Sequence, residues 1–382
     1  MPSVSLLFVL PFLTTRCKAA SCRAIDLGKQ GVRIDNQAVD GSTRPSDPLP
    51  QEQNRIDRAR RASHDITQGF SHMKNTGLVV VTGGAGFIGS HLAEALIGEG
   101  FRVRIVDNLS TGHRSNLAHL EGRYDWLEGN VADFEVCRRA VEGAEFVFHE
   151  AAIPSVPRSV REPLSSHESG PTATLNMLEA ARQAGVKRFM FAASSAAYGE
   201  TVESPKHEAI YPEPLSPYAA GKLAGEHYVS VYAKTMGLDG VSLRYFNIFG
   251  PRQDPTSPYS GVISLFARAM SEGRRPTIFG DGGQTRDYTY VSNVVAANLA
   301  AMRSERPLAG AILNVGIGRS VSLLDLVAAI NAILGTRIEP EFKPPREGDV
   351  RHSLANLERI QAALGYRPEV NFEEGLKRTL AG

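Results

Sequence analysis

Cysteine is nearly missing from this 382-residue chain, which has three. Cys17 and Cys22 stand near the N terminus, and Cys137 is the one in the body of the sequence. Thiols so placed build no disulfide framework and no metal centre, and they fit a reducing cytoplasm. Net charge is lacking too. Lys and Arg total 42 against 41 Asp and Glu, so no basic field advertises nucleic acid and no acidic tail stands out. No apolar run approaches the ~20 residues of a membrane-spanning helix. Internal repeats are absent as well. A chain of this length suits one large domain or two modest ones.

Residues 1–72 read differently from the rest. Their apolar run, Val4–Leu13, is short, broken by Pro11 and has no positive charge before it, which makes a poor secretory signal. Ala19-Ala20-Ser21-Cys22 lacks the leucine that a lipoprotein site wants three residues before its cysteine. From Gly41 to His72 the composition is polar, with Pro45, Pro48 and Pro50 followed by a basic patch at Arg55–Arg61. Either this is a disordered extension or translation starts at Met73-Lys74. In both cases a chain beginning at Met73 is expected to fold and work as the longer one does.

From Leu78 onward short apolar runs alternate with helical stretches. Leu78–Val81, Val103–Val106, Phe146–Phe148, Phe189–Ala192 and Val241–Leu243 have the character of strands buried on both faces. Ser90–Ile97 and Ala173–Ala184 lie between them with helical patterning. Such alternation predicts a parallel sheet with crossover helices. After Asn247 the spacing loosens and Gly/Pro-rich loops multiply.

One glycine cluster carries specific chemistry. Thr82-Gly83-Gly84-Ala85-Gly86-Phe87-Ile88-Gly89 follows a buried strand and opens a helix. Gly83 allows the tight turn, Gly86 lets a pyrophosphate approach the backbone, and Gly89 packs helix against strand; the helix N terminus then offers N–H groups to the phosphates. Asp107, about twenty residues on at the end of the second strand, is placed to bind ribose hydroxyls. A carboxylate there repels a 2′-phosphate and favours NAD over NADP. The predicted fold class is therefore α/β: a Rossmann-type doubly wound parallel sheet over residues 73–246, with a smaller substrate-binding lobe over 247–382 and some exchange of chain between the two.

A second constellation supplies a reaction. Ser194-Ser195 follows the strand at Phe189–Ala192, and Tyr218-Ala219-Ala220-Gly221-Lys222 comes later. Tyr and Lys four apart on a helix share one face. Ionising a tyrosine near neutrality takes ~3 pH units, or ~4 kcal/mol, and a cation ~4 Å away at an effective dielectric of ~20 supplies about that much. Lys222 and an oxidised nicotinamide ring are two such cations. Ser194 can hydrogen-bond the substrate oxygen.

Together with Asp107-Asn108, Tyr198-Gly199 and Arg244-Tyr245-Phe246-Asn247, these segments resemble the extended short-chain dehydrogenases/reductases, the NAD-dependent epimerase/dehydratase family. Within it the chain looks most like the UDP-glucose and UDP-N-acetylglucosamine 4-epimerases. Ala151–Ser159, Pro251–Pro255, Gly280–Tyr288 and Arg346–Ser353 carry that closer resemblance. The resemblance implies Ser194, Tyr218 and Lys222 as catalytic residues. It implies an NAD site of Gly83, Gly86, Phe87, Ile88, Gly89, Asp107, Asn108, Asn130, Val131, Ala151 and Ala152, with Tyr218 and Lys222. For the substrate it implies Ser155, Ser194, Ser195, Tyr218, Asn247, Val262, Arg286, Arg346, Asp349 and Ser353. Arg286 and Arg346 would hold a diphosphate, for which guanidinium forks are suited. Tyr218 would take the proton of the sugar 4-hydroxyl while hydride passes from C4 to NAD, and the 4-keto sugar would swing over and take it back on its other face. The resemblance also implies a homodimer, through helices at Ala173–Ala184 and Tyr218–Met236.

The chain departs from the family pattern at Gly170, where an asparagine usually helps to position the lysine, and at Ala173, usually glycine. Asn130 replaces an aspartate near the adenine. A 4,6-dehydratase would need an acidic pair where Ser195-Ala196 stand, and a decarboxylase a glutamate there; both are disfavoured. A non-catalytic NAD-binding role is the reading of a different class, kept open by Gly170 and opposed by the intact Ser194, Tyr218 and Lys222. Which UDP-hexose is used, acetylated or not, stays open at this stage.

Overall fold

Leu78-Val79-Val80-Val81-Thr82 is buried at every position, as a strand covered on both faces must be. The computed structural model describes residues 77–254, 261–345 and 350–381. Its strands are β1 (Leu78–Thr82), β2 (Arg102–Asp107), β3 (Asp125–Glu128), β4 (Ala144–His149), β5 (Arg188–Ser194), β6 (Gly240–Tyr245), β7 (Asn247–Phe249), β8 (Thr277–Phe279), β9 (Thr285–Arg286), β10 (Tyr288–Tyr290), β11 (Ala311–Val315), β12 (Val321–Ser322), β13 (Glu341–Lys343) and β14 (His352–Ser353). The helices are α1 (Phe87–Gly98), α2 (Phe134–Val141), α3 (Val156–Arg161), α4 (Pro163–His167), α5 (Ala173–Gln183), α6 (Pro217–Thr235), α7 (Val262–Ser271), α8 (Val291–Arg303), α9 (Leu323–Leu334), α10 (Glu358–Leu364) and α11 (Phe372–Ala381).

The main sheet runs β11-β6-β5-β4-β1-β2-β3 and is parallel throughout. Strand order grows outward from β1 in both directions, so the topology reverses between β1 and β4, where a doubly wound sheet opens its ligand crevice. Alternate residues of β1 feed two cores. Val79 and Val81 join a cluster with Leu92, Leu96 and Val294, contributed by α1 and α8. Leu78 and Val80 face Met177, Ala181 and Val229, contributed by α5 and α6.

Every strand and helix expected in the α/β region forms, and most strands extend past the expected ends because hydrogen bonding continues beyond the most apolar residues. One local departure stands out. The chain before α5 makes a π-helical turn at Glu168–Thr172, with Pro171 inside it.

Three small sheets, β10-β7, β12-β9-β14 and β13-β8, gather around a further apolar cluster that includes Phe249, Phe266, Tyr288 and Leu326. The fully buried Asp287 ties this region together. Its carboxylate accepts hydrogen bonds from the backbone N–H of Ile317 (2.9 Å), Gly318 (2.9 Å) and Ala355 (3.3 Å). It thus fixes β9, and with it Arg286, against the segment that carries Ser353. Among the described residues no helix is long and apolar enough to cross a membrane.

Candidate active site

The carboxyl ends of β1, β2, β4, β5 and β6 open into one cavity of about 1390 Å³. That exceeds the ~300–1,000 Å³ typical of a site for one drug-sized ligand and leaves room for a dinucleotide and a second nucleotide together. Every candidate residue named from the sequence lines it, except Arg346 and Asp349, which lie outside the described residues.

The glycine loop at the end of β1 is built for close approach. Gly83 has φ +66°, and a Cβ there would sit 2.8 Å from the Ala151 backbone. A Cβ on Gly89 would come within 2.3 Å of the Gly83 carbonyl oxygen, so no larger residue allows α1 to seat on the turn. Gly86 caps α1 without any side-chain hydrogen bond. The first N–H groups of this long helix therefore keep their demand for acceptors, which fits a pyrophosphate.

Asp107 ends β2 with a buried carboxylate. Oδ2 accepts from Ala85 N at 3.0 Å and Oδ1 from Leu109 N at 2.8 Å, which locks its orientation beside the glycine loop. Burial nevertheless raises its pKa above the ordinary aspartate value, against these bonds. Asn108, Asn130 and Val131 continue the same wall. Asp107→Asn keeps hydrogen-bonding capacity and loses the charge, so the Kd for NAD should rise about tenfold, the lower end of what a charged hydrogen bond is worth. Calorimetric titration checks this, and an unchanged Kd would remove Asp107 from the ribose site.

The reacting end is assembled by β5 and α6. Ser194 terminates β5 and accepts a hydrogen bond from Ala196 N at 3.2 Å. It also hydrogen-bonds the hydroxyl of Tyr218. Ser216 caps α6 by accepting from Ala219 N at 3.2 Å, and Pro217 occupies the first helical position, so the helix starts immediately before Tyr218. One turn on, the buried Lys222 donates from Nζ to Ala192 O at 2.6 Å and stands 5.0 Å over the Phe191 ring. A further turn along, Glu226 takes a two-pronged bond from Arg244 of β6, at 2.8 and 2.7 Å. The same Arg244 lies over Tyr198 at 4.5 Å. This buried clamp fixes the rotation of α6 and so the direction of Tyr218 and Lys222.

The expected cations are Lys222 and an oxidised nicotinamide ring, and the protein's own groups do not bring Tyr218 toward ionisation. Burial raises the Tyr218 pKa above 10.0, the Ser194 hydrogen bond opposes the rise, and the charge of Glu150 adds to it. Lys222 itself is lowered by burial. Its ammonium is turned onto the Ala192 carbonyl, and in the protein by itself desolvation of the phenol is the larger effect. His149, beneath the site, is held neutral: burial first and Lys222 second push it down to about 3. It bridges β1 to α5 through Thr82 Oγ1 (2.8 Å) and Thr174 Oγ1 (3.2 Å).

At Gly170 an added Cβ would meet nothing within 4 Å. The position borders a pocket of about 10 Å³ shared with Ser169, Tyr218 and Lys222, close to the smallest volume that holds a water. The substrate end of the cavity brings together Ser155, Ser195, Asn247, Val262, Arg286 and Ser353. Ser353 of β14 pairs in register with Arg286 of β9, and Ser155 caps α3 by accepting from Arg158 N at 3.1 Å.

Among the cavity residues that sequence reasoning missed are Glu150 and Lys206. Glu150 follows β4 directly, and its Oε1 accepts from the Tyr245 hydroxyl at 2.8 Å. Lys206, 2% exposed, donates to Gly199 O at 3.1 Å near Arg286. A charge set immediately behind an apolar strand was the available signal for Glu150. Lys206 offered none, since Leu354 and Arg286 reach it from distant segments.

The family model described as the NAD dependent epimerase/dehydratase family matches residues 79–316. The UDP-glucose 4-epimerase of Mycolicibacterium smegmatis is 39% identical over 306 residues, 79% of this chain and 96% of that protein. A UDP-N-acetylglucosamine 4-epimerase from Methanobrevibacter ruminantium, solved with UDP-N-acetylmuramic acid, shares 38% identity at a TM-score of 0.77, covering 81% of this chain and 98% of that one. A Thermotoga maritima UDP-glucose 4-epimerase solved with UDP-glucose shares 41% at 0.76, covering 80% and 97%. The α/β fold agrees with these matches, and the chain belongs to the NAD-dependent epimerase/dehydratase family.

Proposed function

We propose that this protein is an NAD-dependent 4-epimerase of UDP-hexoses, with UDP-N-acetylglucosamine and UDP-N-acetylgalactosamine as one substrate pair and UDP-glucose and UDP-galactose as the other. One observation carries the reading: Ser194, Tyr218 and Lys222 converge where the dinucleotide end and the substrate end of a single cavity meet. NAD, when bound, supplies a reversible acceptor for the hydrogen at sugar C4. Tyr218 removes the proton of the 4-hydroxyl and later returns it, with Ser194 steadying the oxygen through its hydrogen bond. Lys222 sets the charge beneath them. Arg286, with Asn247, holds the diphosphate side, and the lobe drawn mainly from residues 247–382, which also give β11 and α8 to the main domain, encloses the sugar loosely enough for a 4-keto intermediate to turn over.

The residues after Ser194 support epimerisation over water elimination, because Ser195, Ala196 and Ala197 offer no acid. Incubating NAD-loaded protein with acetylated and non-acetylated UDP-hexoses, and separating C4 epimers by chromatography, tests the function. Interconversion of at least one pair is expected, and NAD binding without turnover of any would favour the non-catalytic reading. Assembly as a homodimer through α5 and α6 belongs to the same proposal. Val231, on α6, is 49% exposed and would be covered by a second copy there. So does a cytoplasmic place in polysaccharide synthesis, where UDP-sugars are consumed.

A further inference from the structure

Lys206 is 2% exposed, and lysines are rarely buried so deeply without a carboxylate against them. Its Nζ donates to Gly199 O at 3.1 Å and stands 5.8 Å from the centre of the Tyr198 ring. An ammonium has three donors to place, yet among the described residues no carboxylate is hydrogen-bonded or ion-paired to this one. Glu203 is taken by His207, Glu208 by the backbone of Asn314, and Glu200 is exposed. The backbone fixes where the side chain starts. Lys206 N donates to Leu354 O at 2.7 Å, and its carbonyl accepts from Asn356 N and Asn314 Nδ2, both at 2.9 Å. These bonds make Lys206 the bridge partner of Ala355, two residues beyond Ser353, and Ser353 is in turn the register partner of Arg286. Side chains alternate along an extended chain and partners across strands point the same way, so Arg286, Ser353 and Lys206 stand in a row on one face. All three line the cavity. Burial first, and then the charge of Arg286, lower the Lys206 pKa, as expected of a cation set near a second cation.

We infer that Lys206 is a substrate contact, the second cation of the wall that begins at Arg286, and that it takes an anionic oxygen of the nucleotide-sugar beyond the nucleoside monophosphate. Two groups have this chemistry: the phosphate that carries the sugar, and a carboxylate on the sugar itself. A buried ammonium without a counter-ion is unfavourable. An anionic oxygen within hydrogen-bond reach relieves this on binding, and a charge-assisted bond is both short and directional. The row gives the order of contacts. Ser353 lies between the two cations, so a ligand anchored on Arg286 passes the serine before it reaches the lysine. The three backbone bonds hold Lys206 in place beforehand, so little order is lost when the ligand arrives.

This inference rests on the proposed class of substrate, a nucleotide-sugar, and not on its turnover. Lys206→Met keeps the apolar stem and removes the charge; Lys206→Gln also removes the charge but keeps a donor for Gly199 O. NAD-loaded wild type and both variants are titrated calorimetrically with UMP, UDP, UDP-glucose and UDP-glucuronate. For ligands that carry the recognised anion, Kd should rise about tenfold or more in both variants, the lower end of what a charged hydrogen bond is worth. UMP and NAD should bind as they do to wild type. A loss already seen with UDP assigns Lys206 to the phosphate that carries the sugar, and a loss confined to UDP-glucuronate assigns it to the carboxylate. Wild-type binding of every ligand by Lys206→Gln means that the lysine only supports Gly199, and overturns the inference. So does a loss shared by UMP and NAD, or one equal on the two UDP-sugars with UDP spared, which marks a contact with a neutral hydroxyl. If Lys206→Met does not fold, the glutamine variant decides alone. A wild type that binds UDP-sugars and turns none over fails the proposed function, while the same titrations still decide Lys206; one that binds none overturns both.

Discussion

Tyr218→Phe is expected to abolish nearly all epimerisation while leaving NAD bound. The ring that packs at the start of α6 stays, and only the oxygen hydrogen-bonded by Ser194 is removed. A positioned acid–base group typically contributes about 10²–10⁴-fold, so kcat should fall by at least about two orders of magnitude. Unfolding is not the expected cause, because Tyr218 and Ser194, the partner its hydroxyl loses, both line the cavity and not the apolar core. Initial rates, with NAD affinity measured on the same preparation, check this. A variant that keeps more than about a tenth of wild-type activity has some other base. The raised pKa of Tyr218 sharpens the case. A phenol so buried is a poor base in the resting protein, and its ionisation must be drawn out by charge that gathers when cofactor and substrate are in place. Catalysis and binding are then coupled through one hydroxyl.

How far the sequence reached depends on whether an interaction is local. The glycine loop, the strand before it, the helix after it and Asp107 are set by nearest neighbours, and the parallel sheet with its reversal beside β1 followed from them. Tyr218 and Lys222 were legible because a spacing of four defines one helix face. The Arg244–Glu226 clamp was invisible, although Arg244-Tyr245-Phe246-Asn247 was noted, because nothing in the sequence says which acid meets that arginine. Glu150 fell between two recognised segments. Its carboxylate is held by the Tyr245 hydroxyl, which reaches it from another element. Gly170 shows the reverse. The missing side chain was readable, but the π-helical turn around it and the small pocket it leaves appear only once α5 and α6 are packed. Lys206 meets Gly199 and the segment at Ala355 by folding alone.

Ser353→Tyr should close the site to acetylated sugars selectively. In the 4-epimerases that this chain resembles, the position beside the substituent on sugar C2 falls, counting from Arg346-Glu347-Gly348-Asp349, on Ser353. A tyrosine there goes with enzymes limited to UDP-glucose and UDP-galactose, and smaller residues with those that also admit an N-acetyl group. The structure puts Ser353 on the cavity wall, 7% exposed, in register with Arg286. Arg286 is the proposed diphosphate contact, so a sugar reaching in from it passes close to the serine hydroxyl, which can also hydrogen-bond an acetamido group. A phenol ring in this place fills space that the larger substrate needs. Overpacking costs about 1–3 kcal/mol, a loss of roughly 5- to 150-fold, and it should fall on the acetylated pair while the non-acetylated pair keeps most of its kcat/KM. The strand pairing around β14 and the Asp287 network should hold the backbone in place, since neither uses the Ser353 side chain. Comparing kcat/KM for both pairs in wild type and Ser353→Tyr, with NAD affinity as a control for folding, decides the matter. An equal loss on both pairs means that the ring damages the site at large. Absence of acetylated activity in the wild type means that the limit on sugar size lies elsewhere, among residues such as Ser155, Ser195 and Val262 on the same wall.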